Sequence, residues 1–142
     1  MGVRLAAAVL RSAYGVPAAS TAEGPHVVSA TTDGAATPTV RIAIAAADGS
    51  GVALIDGQEC VACCAAAADT VLFGLAVDGP WSKSLPVRFE GGTTLVATAA
   101  APGAFTHVAL GVADYPQCAP VSVSNGFPLA PAVLRLTPAA AA

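Results

Sequence analysis

From His26 onward, turn signals interrupt the chain at intervals of about eight to twelve residues, and between them apolar side chains recur with a period of about two. This punctuation is the strongest constraint on the fold, because stretches so short and so patterned bury one face of a sheet rather than one stripe of a helix. In Thr39–Ala45 (TVRIAIA), Val40, Ile42 and Ile44 lie on the face opposite Arg41 and Ala43. The same reading predicts strands over His26–Thr32, Val52–Ile55, Glu59–Cys64, Val71–Val77, Leu85–Phe89, Thr93–Thr98 and Thr106–Val112. Asp33-Gly34, Asp48 to Gly51, Asp56-Gly57, Asp78-Gly79-Pro80 and Gly91-Gly92 mark the turns between them. The Ala65–Ala68 run is too short to nucleate a helix. Short strands spaced in this way predict an antiparallel β-sandwich.

The opening segment follows a different period. Val3, Ala6, Ala7, Leu10 and Tyr14 form one helical stripe, with Arg4 and Arg11 on another face. Gly15 suits a left-handed cap and Pro17 cannot continue the helix. No Ser, Thr, Asp or Asn stands before the helix to cap its start, which leads us to expect a segment upstream. The expected fold is therefore mainly β: a small antiparallel sandwich over residues 26–138, preceded by one N-terminal α-helix over 1–15 and a linker over 16–25, with a tail over 139–142.

A chain of 142 residues is long enough for one self-sufficient core. Only 11% of its residues are charged and the net charge is −3, which excludes the basic footprint of a nucleic-acid binder. Leu5–Leu10 is shorter than the apolar region of an export signal, and the uncharged stretch 91–113 contains Pro102 and His107 and alternates, so neither a signal peptide nor a membrane helix is expected. The compartment stays open.

Catalytic chemistry is mostly absent from the pattern. The two histidines, His26 at the mouth of a strand and His107 within one, have no nucleophile motif around them. No Gly-x-Ser-x-Gly elbow or phosphate-cradling loop occurs, and Asp48-Gly49-Ser50 reads as a turn. Cys60, Cys63 and Cys64 cluster on one predicted strand, where alternation sets Cys63 on the face opposite the other two, so no metal site is expected. In an oxidising compartment Cys118 is expected to pair with one of the three; otherwise the thiols stay free and buried. No cofactor is expected. Asp114 to Cys118 and Asn125 to Pro131 form a proline-stiffened segment expected to leave the sheet, covering its edge or docking on another domain. Trp81 and Tyr115 are the candidate ligand-stacking aromatics.

The opening Gly2-Val3-Arg4-Leu5-Ala6-Ala7-Ala8-Val9-Leu10-Arg11-Ser12-Ala13-Tyr14-Gly15, then Pro25-His26-Val27-Val28-Ser29, Gly51-Val52-Ala53-Leu54-Ile55-Asp56-Gly57, Gly79-Pro80-Trp81, Tyr115-Pro116-Gln117-Cys118 and Phe127-Pro128-Leu129-Ala130-Pro131 occur in a telling order. Together they resemble the C-terminal region of sialate O-acetylesterases, carbohydrate esterases of the SGNH hydrolase class. The resemblance implies the last helix of a hydrolase core followed by a β-domain. That family removes O-acetyl groups from sugars with a Ser, His and Asp, its Gly-Asp-Ser and Asp-x-x-His-Pro blocks lying before this region, and its members are often secreted or lysosomal. Neither block occurs here. Where relatives carry an Arg-Tyr-x-Trp strand, this chain has His107 to Val112, and Ala132 stands where Phe is usual. The implied role is an accessory part, inert alone, with Val3, Ala7, Leu10 and Tyr14 facing an esterase core or a second copy. Two alternatives are a stand-alone carbohydrate-binding module that stacks sugars on Trp81 and Tyr115, and a structural assembly subunit.

Overall fold

The computed structural model describes residues 24–46, 49–54, 71–112, 120–124, 126 and 128–139. Its strands are β1 (His26–Thr32), β2 (Thr39–Ala45), β3 (Val52–Leu54), β4 (Val71–Gly74), β5 (Trp81–Lys83), β6 (Arg88–Glu90), β7 (Thr94–Thr98), β8 (His107–Leu110), β9 (Pro120–Ser122), β10 (Ala132–Arg135) and β11 (Thr137–Pro138). They form a five-stranded sheet in the order β11-β1-β2-β7-β6, a four-stranded sheet in the order β10-β8-β4-β5, and the pair β3-β9. The two larger sheets share one core. Val40, Ile42, Ile44, Leu95 and Ala97 of the first pack with Val71, Phe73, Val108 and Leu110 of the second, and Val52, Leu129 and Leu136 fill the rest. Burying such aliphatic faces, at about 25 cal/mol per Å² of apolar surface, is what brings the sheets together.

The turns follow their sequence signals. At the β1–β2 turn, Asp33 Oδ1 accepts from Ala35 N at 3.1 Å and Thr39 N at 3.0 Å, while Gly34 takes φ +69°. Gly91 and Gly92 carry positive φ between β6 and β7, a conformation that side chains disfavour.

Several expectations are corrected. The sandwich is not wholly antiparallel, because β11 runs parallel to β1, with Thr31 opposite Thr137. The cause is a change of sheet: β10 pairs with β8, the chain crosses the core at buried Leu136, and β11 arrives on the other layer. The segment at 128–131 does not simply leave the sheet. Leu129 is buried in the core and donates its N–H to Pro120 O at 2.7 Å. β4 ends at Gly74, and β6 begins at Arg88 rather than Leu85. Strands β5, β9, β10 and β11 were not anticipated from the sequence. No described residue is helical, and the expected helix over 1–15, with its stripe Val3, Ala7, Leu10 and Tyr14, lies outside the described residues. So does the predicted strand Glu59–Cys64.

Candidate functional site

Of the residues expected to form a site, the structure describes Trp81. Tyr115, Cys60, Cys63, Cys64 and Cys118 lie outside the described residues. Trp81 opens β5 opposite Gly74 of β4, which pairs in turn with His107 of β8, which pairs with Arg135 of β10. Register thus sets Trp81, Gly74, His107 and Arg135 in one row across four strands. Alternation decides the face they share: Phe73, Val108 and Leu134 pack on the core, so their chain neighbours in the row point outward.

The indole does not stand free of the sheet. A Cβ placed on Gly74 would meet Trp81 Cζ3 at 2.6 Å, Cε3 at 2.8 Å and Cη2 at 3.1 Å. Near-equal distances to three consecutive ring atoms place that point over the face of the ring, since an edge-on approach would leave two of them much farther away. The indole therefore turns its face to the glycine, reaching over from β5 toward β4 and thus toward His107, and remains partly exposed. Cross-strand covering of a glycine by an aromatic ring also stabilises the pairing of β4 with β5.

His107 has an assignable tautomer. Thr106 Oγ1 donates its single proton to Leu75 O at 2.6 Å, so its 2.9 Å contact with His107 Nδ1 needs the imidazole N–H as donor. In the neutral ring Nε2 is then the acceptor. Beside it, Arg135 is exposed and has no ion pair among the described residues. Along the neighbouring row of the same face lie Lys83, Leu72, Ala109 and Val133. None of the four strands carries an Asp or Glu. On the five-stranded sheet, by contrast, Glu90 holds Arg41 at 2.8 Å and Arg88 at 3.2 Å.

The hydroxyls of Ser50, Ser122 and Ser124 lie 3.0–3.2 Å apart near the β3-β9 pair. Neither histidine of the chain bonds to any of them, so this triangle lacks the Ser–His contact that activates a nucleophile. A shallow concavity of about 120 Å³ beside the β1–β2 turn is lined by Thr31, Thr32, Asp33, Thr39, Arg41 and Ala139, again without a nucleophile–base pair. The sequence reading missed Gly74, His107 and Arg135 as members of one face. Ala132–Arg135 (AVLR) carries no alternating polarity that would mark it as a strand, and only strand register sets Arg135 beside His107.

A solved carbohydrate acetylesterase from Xanthomonas citri matches 94% of this chain with a TM-score of 0.63 at 19% sequence identity. The likeness is one of fold. The chain spans 27% of that enzyme's length. No family model matches the chain, and no curated protein matches it. The β-rich architecture described above is thus one that also occurs within a carbohydrate esterase.

Proposed function

We propose that this chain is the accessory β-domain of a carbohydrate esterase of the sialate O-acetylesterase type and carries no esterase activity by itself. The observation that carries this reading is the combination of near-complete structural coverage of this chain with coverage of about a quarter (27%) of a carbohydrate acetylesterase. Where a domain makes up only part of an enzyme, the remaining parts are available to supply the chemistry. The histidines agree with this. Acyl transfer by a serine needs an imidazole within hydrogen-bond reach of its hydroxyl. His107 spends Nδ1 on Thr106, and His26 bonds to no serine. The stripe Val3, Ala7, Leu10 and Tyr14 is proposed as the face that meets the catalytic part or a second copy.

The test is hydrolysis by the purified chain of an aryl acetate and of an O-acetylated sialic acid, together with labelling by a serine-directed fluorophosphonate. Expected are rates equal to those of an inert β-protein and no labelling. Stoichiometric labelling with acetate release overturns the proposal. Co-expression with an esterase core then asks for association, and Leu10→Asp is expected to abolish it.

A further inference from the structure

We propose that the outer face of the four-stranded sheet is a binding site for acidic saccharides, with Trp81 as the stacking platform, His107 Nε2 as a hydroxyl acceptor and Arg135 as the carboxylate anchor. The proposal adds a ligand to the accessory role but does not depend on the chain being inert.

Three independent observations converge on that row. The first is the partly exposed indole, which turns one face to Gly74 and so leaves its opposite face directed away from that residue. The C–H face of a pyranose stacks on such a surface, whereas an edge-on ring offers it little area. The second is the proton arrangement at His107. With Nδ1–H committed to Thr106, the neutral ring turns an acceptor toward whatever lies on the face, and a sugar hydroxyl is a donor that fits it.

The third is charge. Overall the chain is acidic, at −3, and the arginines of the other sheet are paired to Glu90. Yet Arg135 is unpaired among the described residues, and the four strands supply no carboxylate. Asp78, in the β4–β5 loop, is the acidic residue nearest Trp81 along the chain and lies off those strands. A guanidinium so placed matches the planar fork of a carboxylate. Because the ring rests over β4, it is two inter-strand steps, about 10 Å, from the backbone of β10. That span fits a short saccharide whose ring stacks at one end and whose carboxylate meets Arg135 at the other. The ligand class is thus a uronic or sialic acid-bearing oligosaccharide.

Trp81 is the chain's one tryptophan, so its emission reports the site directly. The probes are matched pairs: trigalacturonate against its fully methyl-esterified form, and sialyllactose against its sialic acid methyl ester. Saturable emission changes are expected with the acidic member of at least one pair, at an affinity about tenfold or more above its neutral partner, the scale of one charge-assisted hydrogen bond. Added salt should narrow that gap. Arg135→Gln, an exposed substitution, should lower acidic-probe affinity to that of the neutral probe. Followed by calorimetry, Trp81→Ala should abolish binding of both, and circular dichroism shows whether it is folded. His107→Phe, which keeps a ring on the face, should weaken both members of the pair alike. Equal affinity for acidic and neutral probes, an unchanged Arg135→Gln variant, or polyphosphate binding as tight as the saccharide overturns the proposal. So does a folded chain that binds no probe, and that result leaves the accessory-domain reading standing, because hydrolysis and association judge it separately.

Discussion

At Gly74 the absence of one methyl group decides where an indole rests. In an ordinary strand interior, replacing Gly by Ala stabilises the fold by up to about 1 kcal/mol, since the unfolded chain loses freedom and the strand gains a side chain. Here the added Cβ would fall 2.6 Å from Trp81 Cζ3, well inside contact distance, so the ring must tilt away or the strands must part. Because the partly exposed ring can tilt away, Gly74→Ala is expected to forfeit that gain while staying below the full cost of core overpacking, about 1–3 kcal/mol. Its Trp81 emission should also move toward that of a solvated indole. Urea titration followed by circular dichroism measures the first effect and the emission spectrum the second. A variant more stable than the parent with an unmoved spectrum would contradict the close approach. Phe105 lies on Gly103 in the same way, with Cζ 2.7 Å from the would-be Cβ, and its ring centroid is 5.4 Å from that of Phe73. Two of the few aromatic rings in this chain thus sit on glycines.

At the scale of elements, β2, β7 and β6 show how a solvent-facing sheet surface is closed. Val96 points away from the core yet is only 1% exposed, because register flanks it with Arg41 on one side and Arg88 on the other. Both arginines stand directly opposite the valine, where their aliphatic stems can lie over it while their heads meet Glu90. Exposed ion pairs are worth about 0–1 kcal/mol and are screened by salt. Glu90→Gln is accordingly expected to change stability by less than about 1 kcal/mol. Arg41→Ala, which also strips cover from Val96, should cost more than Glu90→Gln, and Arg41→Met should recover most of that difference. Denaturant midpoints of the three variants rank them, and equal losses in Arg41→Ala and Arg41→Met would assign the effect to charge instead. Strands β1 and β2 could be read from the sequence to the residue: β2 is long enough for alternation to show, whereas β1, whose register shifts between Val27 and Ser29, is a β-branched-rich run that stops at the turn residues Asp33 and Gly34. The short strands could not. β5 is three residues with no repeat to detect, β9 begins at Pro120, which lacks the N–H a strand normally offers, and β11 is a dipeptide held by a partner more than a hundred positions away. The candidate face was half readable for the same reason: Trp81 stands out after Gly79-Pro80, whereas Gly74, His107 and Arg135 join it only through the pairing of distant segments.

For the molecule as a whole, small side chains concentrate stability in few places. Aromatic residues make up 5% of the chain, and among the described residues Phe73 is the largest side chain that is fully buried. It projects from the four-stranded sheet into the core shared with Val40, Ile42 and Leu95 of the other sheet, beside Leu110 of its own, and packs against Phe105 as well. Most of the remaining wall is Ala and Val, which are too short to collapse into the space a removed ring would leave. Phe73→Ala should therefore fall in the upper part of the usual range for such truncations, about 3–5 kcal/mol. Since the ring belongs to one sheet and its neighbours largely to the other, the loss should lower the stability of both layers together. Far-ultraviolet circular dichroism follows both sheets, whereas Trp81 emission follows the four-stranded sheet alone. In the parent and in Phe73→Ala the two signals are expected to change at one common denaturant midpoint, shifted downward in the variant. If emission instead changed well before the dichroism, the four-stranded sheet would be a separately melting layer, and the shared core could not be what couples the candidate face to the rest of the fold.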